Sequence, residues 1–193
     1  GQLIPGFEST RRHYKRVLAQ RNALLKQATV PASDQLFVWN LRLSELAGKI
    51  VTERHELIGR FNEVIGELYS EIAGQDTKIS LEYSSLVPVP QYQSKLLHKL
   101  EQNFARDSAL GFTSSGPHRE DVSISINGQN AGHTASRGEI RTLLLSLKML
   151  EAQFIESARS VRPLLLFDDV FSELDGKRRQ ALVNFLKPYQ SLI

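Results

Sequence analysis

Two adjacent carboxylates at the end of an apolar run are the most suggestive chemistry in this sequence. Leu164-Leu165-Leu166-Phe167 reads as a strand buried on both faces, and it leads straight into Asp168-Asp169. Ligands of parallel α/β sheets sit beyond the carboxyl ends of the strands. A carboxylate pair there divides the labour, one group holding Mg2+ and the other orienting or activating a water. Ser172-Glu173-Leu174-Asp175 follows, and Asp175 is placed to cap a helix that begins at Gly176. Upstream, Ala135-Ser136-Arg137-Gly138-Glu139 opens another helix. A helix N-terminus offers unpaired amides and a positive dipole end to an anion. Ser136 adds a hydroxyl, and Gly138 lets a phosphate come close to the backbone. Taken singly, each string has a plainer meaning: a capped strand end, an N-cap, or a capping serine with an acidic first turn.

The elements that position these residues follow from periodicity. Residues 9–27 predict a helix capped by Ser9 or Thr10, with Tyr14, Leu18 and Leu25 on one stripe. Arg21 falls on that stripe, where a guanidinium needs a partner. Arg11, Arg12, Lys15 and Arg16 group on another face. A long second helix runs from Leu36 through Trp39, Leu43, Leu46, Ile50, Leu57, Phe61, Val64 and Leu68 to Ile72, with Gly48, Gly59 and Gly66 as candidate bends or breaks. The pair reads as an antiparallel hairpin or short coiled coil. A short strand over 79–83, a turn at Pro88 and Pro90, and a helix over 91–107 come next. Val122, Ile124 and Ile126 alternate before Asn127-Gly128, a strong hairpin signal. The helix over 138–158 carries Ile140, Leu144, Leu147, Leu150 and Phe154 on one side. A last helix over 176–187 is stopped by Pro188, and Tyr189–Ile193 begins another strand. A buried parallel strand with so few neighbours is half a sheet, so the chain reads as a fragment.

Composition bounds the rest. The 193 residues hold 24 Lys plus Arg against 21 Asp plus Glu, and 41% of them are hydrophobic, which excludes wholesale disorder and fits one large or two small domains. The sequence has no cysteine, which removes disulfides and thiolate metal sites. No run approaches the roughly 18 apolar residues of a membrane span, and no signal peptide opens the chain, so a cytoplasmic protein without membrane contact is expected. Residues 1–33 carry six bases against Glu8 alone, an electrostatic footprint for nucleic acid or else a solvated helix face. His118 with Asp121 is a poor metal pair, because the five histidines lack ligand spacing. His118 is better read as shaping the loop that enters the Val122 strand.

In order, the strings resemble the signature, Walker B and D-loop motifs of ABC-type ATPases. The sequence further resembles the RecF family, bacterial recombination-mediator ATPases related to the SMC proteins. That resemblance rests on Gln20-Arg21-Asn22, Gly116-Pro117-His118-Arg119-Glu120-Asp121, Ala135 to Thr142 and Leu164 to Asp175, and covers essentially the whole chain. It implies an α/β fold in which a helical lobe with an antiparallel long-helix hairpin (1–112) joins the carboxy-terminal part of a P-loop NTPase, ABC-type head (113–193). It also implies ATP binding, slow hydrolysis, ATP-dependent homodimers, and DNA binding at duplex and gapped junctions. RecO- and RecR-type partners would act with it in DNA repair, replication, recombination and the SOS response. By position, Asp168 would serve Mg2+ through a water and Asp169 would be the catalytic base. Ser136, Gly138 and Glu139 would meet the γ-phosphate held by the opposite subunit, and Asp175 would lie at the dimer seam. Arg11, Arg12, Lys15 and Arg16 are the DNA-binding candidates. The family often has Gln where Glu139 stands, commonly Gln at Arg137 and usually Asp at Glu120. No G-x-x-x-x-G-K-[ST] string occurs, so the chain alone is expected not to bind ATP productively. Two alternatives are another SMC-related ABC-type head and a non-enzymatic helical interaction module.

Overall fold

Helical spacing of apolar residues builds the long elements, and one buried cation fixes how the first of them pack. The computed structural model describes residues 4–27, 33–167 and 174–192. In chain order it holds α1 (Phe7–Leu25), α2 (Ser33–Ala73), β1 (Ile79–Ser84), α3 (Tyr92–Gln102), α4 (Phe104–Leu110), β2 (Asp121–Ile126), β3 (Gln129–Asn130), α5 (Ala131–Thr134), α6 (Arg137–Arg159), β4 (Leu165–Leu166), α7 (Gly176–Leu186) and β5 (Ser191–Leu192). The described residues pack as two units. One holds the chain up to Leu57 with Tyr83–Val122, and the other holds Ile58–Glu82 with the chain from Ser123 onward. No helix among the described residues is long and apolar enough to cross a membrane.

In the first unit, α1 starts after Gly6 in the left-handed conformation, so neither Ser9 nor Thr10 is its cap. Its buried face is Tyr14, Val17, Arg21 and Leu25, with Leu18 only half-buried. Arg21 is fully buried. Its Nε donates to Asn40 Oδ1 at 2.7 Å, and Nη1 donates to Asp107 Oδ2 and Thr113 Oγ1, both at 2.8 Å. Burial lowers the guanidinium's pKa, and hydrogen bonding and charge from Asp107 oppose that shift. α2 runs unbroken through Gly48, Gly59 and Gly66, because the packing of its apolar face outweighs the roughly 1 kcal/mol each glycine costs. The helix expected over 91–107 is instead two, α3 and α4, parted at Asn103, whose side chain donates to Ser115 Oγ at 3.0 Å.

In the second unit, the last turns of α2 bury Leu68 and Ile72 as expected, together with Ile65 and Tyr69, while Val64, expected on the stripe, is exposed. These pack with Ile79 and Leu81 of β1, Ile126 of β2, Leu143, Met149 and Leu150 of α6, and Leu182 and Leu186 of α7. The three-stranded sheet has the order β1-β2-β3. Its β2–β3 hairpin turns at Asn127 and Gly128, both with positive φ as a tight two-residue turn requires. Leu144, expected on the apolar side of α6, faces outward at 57% exposure, and Leu143 and Leu145 are buried instead. β4 pairs in parallel with β5 through Leu165–Ser191 and Leu166–Leu192. The apolar run was expected to be buried on both faces, but Leu164 and Leu166 are 53% and 71% exposed, because β5 is the only strand paired with β4 among the described residues.

The Arg21 cluster generates a test. Asp107→Ala leaves a buried guanidinium without its carboxylate and is expected to cost about 3–5 kcal/mol in urea unfolding. Replacing both partners with apolar residues, as in R21M/D107L, is expected to cost less than the single change.

Candidate functional site

Ser136, expected to open a helix, does so at the start of α6, within the second unit. Ser136 is the N-cap of α6 and accepts from the Glu139 amide at 3.3 Å. Glu139 Oε2 in turn accepts from the Ser136 amide at 2.8 Å and from the Ser136 hydroxyl at 2.7 Å, completing a capping box. These hydrogen bonds hold the Glu139 carboxyl below its ordinary pKa, so it is ionised at neutral pH. The Ser136 hydroxyl is therefore already engaged by the Glu139 carboxylate.

Asp175 caps α7, accepting from the Arg178 amide at 2.9 Å. That bond, with the charges of Arg178 and Lys177, lowers the Asp175 pKa. The Arg178 guanidinium binds Asp175 Oδ2 through Nη1, and its Nε donates to Thr142 Oγ1 at 2.5 Å. Thr142, fully buried inside α6, in turn donates a hydrogen bond to the Gly138 carbonyl at 2.9 Å. A Cβ on Gly138 would stand 3.4 Å from Arg178 Nη2. Arg178 thus joins the first turns of α6 and α7. Sequence reading missed it, although Asp175-x-x-Arg178 spacing and a threonine in an apolar helix were the visible signals. Tyr69 lies close by: burial and then the Glu139 charge raise its pKa, against Arg178.

The Gly116–Asp121 string, which had no mechanism in the sequence, forms a clasp within the first unit. The Tyr14 hydroxyl donates to His118 Nδ1 at 2.6 Å while His118 Nε2–H donates to the Thr113 carbonyl at 3.1 Å, which fixes the neutral tautomer. A Cβ on Gly116, where φ is +129°, would stand 2.7 Å from the Tyr14 oxygen. The Pro117 carbonyl accepts from Arg54 at 2.7 Å, and Arg119 lies over the Phe112 ring. Glu120 accepts from three hydroxyls, those of Tyr83, Ser85 and Tyr92, each at 2.6 Å. Burial raises the pKa of Tyr14, and burial with the Glu120 hydrogen bonds raises Tyr83 and Tyr92, so all three stay protonated donors. Asp121 accepts from the Val122 amide. No group of three or more His, Asp or Glu side chains that could hold a metal is present among the described residues.

Arg11, Arg12, Lys15 and Arg16 are exposed on α1, opposite its buried face, and Arg11 pairs with Glu8 at 3.0 Å. Asp168, Asp169, Ser172 and Glu173 lie outside the described residues.

The fold is shared with a solved structure of "the recombination mediator protein RecF-ATP in RecFOR pathway", at a TM-score of 0.88 and 28% identity over 99% of this chain and 53% of that one. A RecF-ATPrS structure of the same pathway matches equally well. The chain is therefore of the mixed helix-and-sheet RecF type. Curated proteins named "DNA replication and repair protein RecF" match it at 36% identity over 183 residues in Lachnoclostridium phytofermentans, 35% over 196 in Synechococcus sp. strain JA-3-3Ab, and 35% over 202 in Acetivibrio thermocellus. These alignments cover 94%, 96% and 100% of the chain and 50%, 52% and 54% of those proteins, so the chain spans about half their length. No protein-family model matches. By sequence and by fold alike, the chain corresponds to the carboxy-terminal portion of RecF.

The clasp has a pH signature. Burial lowers the His118 pKa, so the folded chain resists a proton that the unfolded chain accepts at the ordinary histidine value. Stability is full above that value and falls as pH drops through it. His118→Gln should flatten the fall in Tm between about pH 7 and about pH 5. An equal fall in both proteins would remove His118 as its source.

Proposed function

We propose that this chain is the signature- and Walker B-bearing part of a RecF-like ATPase that closes as a dimer around ATP and acts on DNA. The first turn of α6 is the observation that carries this reading. Ser136 caps it, Gly138 carries no side chain between the turn and the Arg178 guanidinium, and a strand and an Asp-capped helix follow in the order the motifs require. The likeness to a RecF-ATP structure supports ATP as the ligand. In this reading residues 1–112 form the helical lobe with its long-helix hairpin, and 113–193 belong to a P-loop, ABC-type head. Ser136 and Gly138 engage the γ-phosphate bound by the opposite protomer. Glu139 gives up the Ser136 hydroxyl as the phosphate arrives, and Asp175 meets the partner across the seam. Asp168 holds Mg2+ through a water, and Asp169 takes the proton of the attacking water. The protein works in the cytoplasm on duplex and gapped DNA, with RecO- and RecR-type partners, in recombinational repair, replication and the SOS response.

The test uses a RecF-length protein that carries this sequence. Ser136→Arg should abolish ATP-dependent dimers in sedimentation while one protomer still binds ATP, because bulk and charge fill the phosphate approach. Asp169→Asn in the same protein should keep ATP binding and lose turnover. Undiminished dimerisation by the first variant, or parent-rate hydrolysis by the second, sinks the corresponding role.

The DNA surface is tested separately. Replacing Arg11, Arg12, Lys15 and Arg16 with Ala should weaken duplex binding about equally across sequences and reduce the logarithmic salt slope by roughly two to four units, since each neutralised phosphate contributes about 0.9. Unchanged affinity and slope in a salt titration would place the DNA elsewhere.

A further inference from the structure

We infer that Arg178 is the positioning residue that sets the signature turn and the D-loop turn in one register for engaging nucleotide held by a second protomer. The inference rests on the ATP-sandwich reading above and adds to it a residue that the motifs do not contain.

Three geometric facts carry it. First, the guanidinium spans two helix starts that are far apart in sequence: Nε binds Thr142 of α6 and Nη1 binds Asp175, the cap of α7. Second, Thr142 is fully buried and is tied to the Gly138 carbonyl, so the force on Arg178 reaches the backbone of the signature turn itself. Third, Nη2 lies over Gly138, with only 3.4 Å between it and the place a Cβ would take. The side chain is 22% exposed, so its contacts act in a partly water-excluded setting.

The chemistry requires this fork in particular. An arginine presents donors in a rigid plane, and one planar group can bind a hydroxyl and a carboxylate on different helices at fixed separation. A lysine gathers its donors on one nitrogen and lacks the separated, coplanar nitrogens by which Arg178 reaches Thr142 from Nε and Asp175 from Nη1. The charge also matters where it stands. Glu139 places an ionised carboxylate on the turn that must accept a phosphate, and Arg178 sets a cation beside Gly138 on that same turn. A phosphate arriving there meets a turn whose negative charge is offset and whose geometry is braced from α7.

The experiment compares ATP-driven dimerisation with ATP binding by a single protomer, in the RecF-length protein. R178A and R178K should each raise the ATP concentration for half-maximal dimer by about tenfold, the scale of one charge-assisted hydrogen bond, with single-protomer ATP affinity unchanged. T142V should reproduce part of the shift, and adding it to R178A should add nothing, because both remove one linkage. If R178A lowers the folded fraction, R178K decides, since its stem fills the same space. S136R serves as the control for the underlying reading. S136R blocked with R178A dimerising at the parent ATP concentration overturns the inference alone. R178K behaving as the parent overturns it too, since charge without the fork would then suffice. Normal dimers from S136R overturn the signature reading, and this inference with it.

Discussion

A guanidinium without access to water organises the first unit. Arg21 needs partners for its donors, and it finds them on four separate stretches: Asn40 of α2, the Leu100 carbonyl of α3, Asp107 of α4 and Thr113 in the following loop. Asn22 completes the arrangement by accepting from the Thr113 amide and hydroxyl, and Asp107 also accepts from the Ser114 amide. The buried Arg21 donors are all satisfied only when these stretches arrive together, so the cluster specifies an arrangement that apolar packing would leave degenerate. The Tyr14–His118 bond and the Glu120 clasp then extend the same logic along the loop, fixing the residues that follow Thr113.

Features governed by local chemistry were legible in the sequence. Asn127-Gly128 gave its hairpin because only residues tolerant of positive φ make that turn. Ser136 and Asp175 gave their caps because a short oxygen-bearing side chain at a helix start satisfies an otherwise unpaired amide. Arg21 stood out as a charge on an apolar stripe, and the need for a partner was visible even though Asp107 was not. Distant partners set what was missed. The later turns of α2 pack into a different core from its earlier ones, so Ile65 and Tyr69 are buried beside the expected Leu68 and Ile72 while Val64 faces out. The break between α3 and α4 depends on Asn103 reaching Ser115, a contact no local propensity announces.

The two helix starts of the second unit show how a motif differs from a site. As strings, the signature and the D-loop are separate, and each has an ordinary capping role. In the fold they share one arginine, Arg178, and the hydroxyl of the Ser136 cap is held by the Glu139 carboxylate. A well-satisfied cap is locally stable, so exchange of its internal carboxylate for an external anion has to be driven by interactions gained elsewhere in the complex.

The short β4–β5 ladder has a practical consequence for handling the molecule. Leu164, Leu166 and Leu192 show more than half their surface to water, on a parallel pair with no further strand beside it among the described residues. Unpaired strand backbone beside exposed leucines is a template for sheet extension between molecules. The chain handled alone at high concentration therefore carries an aggregation-prone edge, and charged substitutions at Leu166 or Leu192 offer a direct route to a more soluble form.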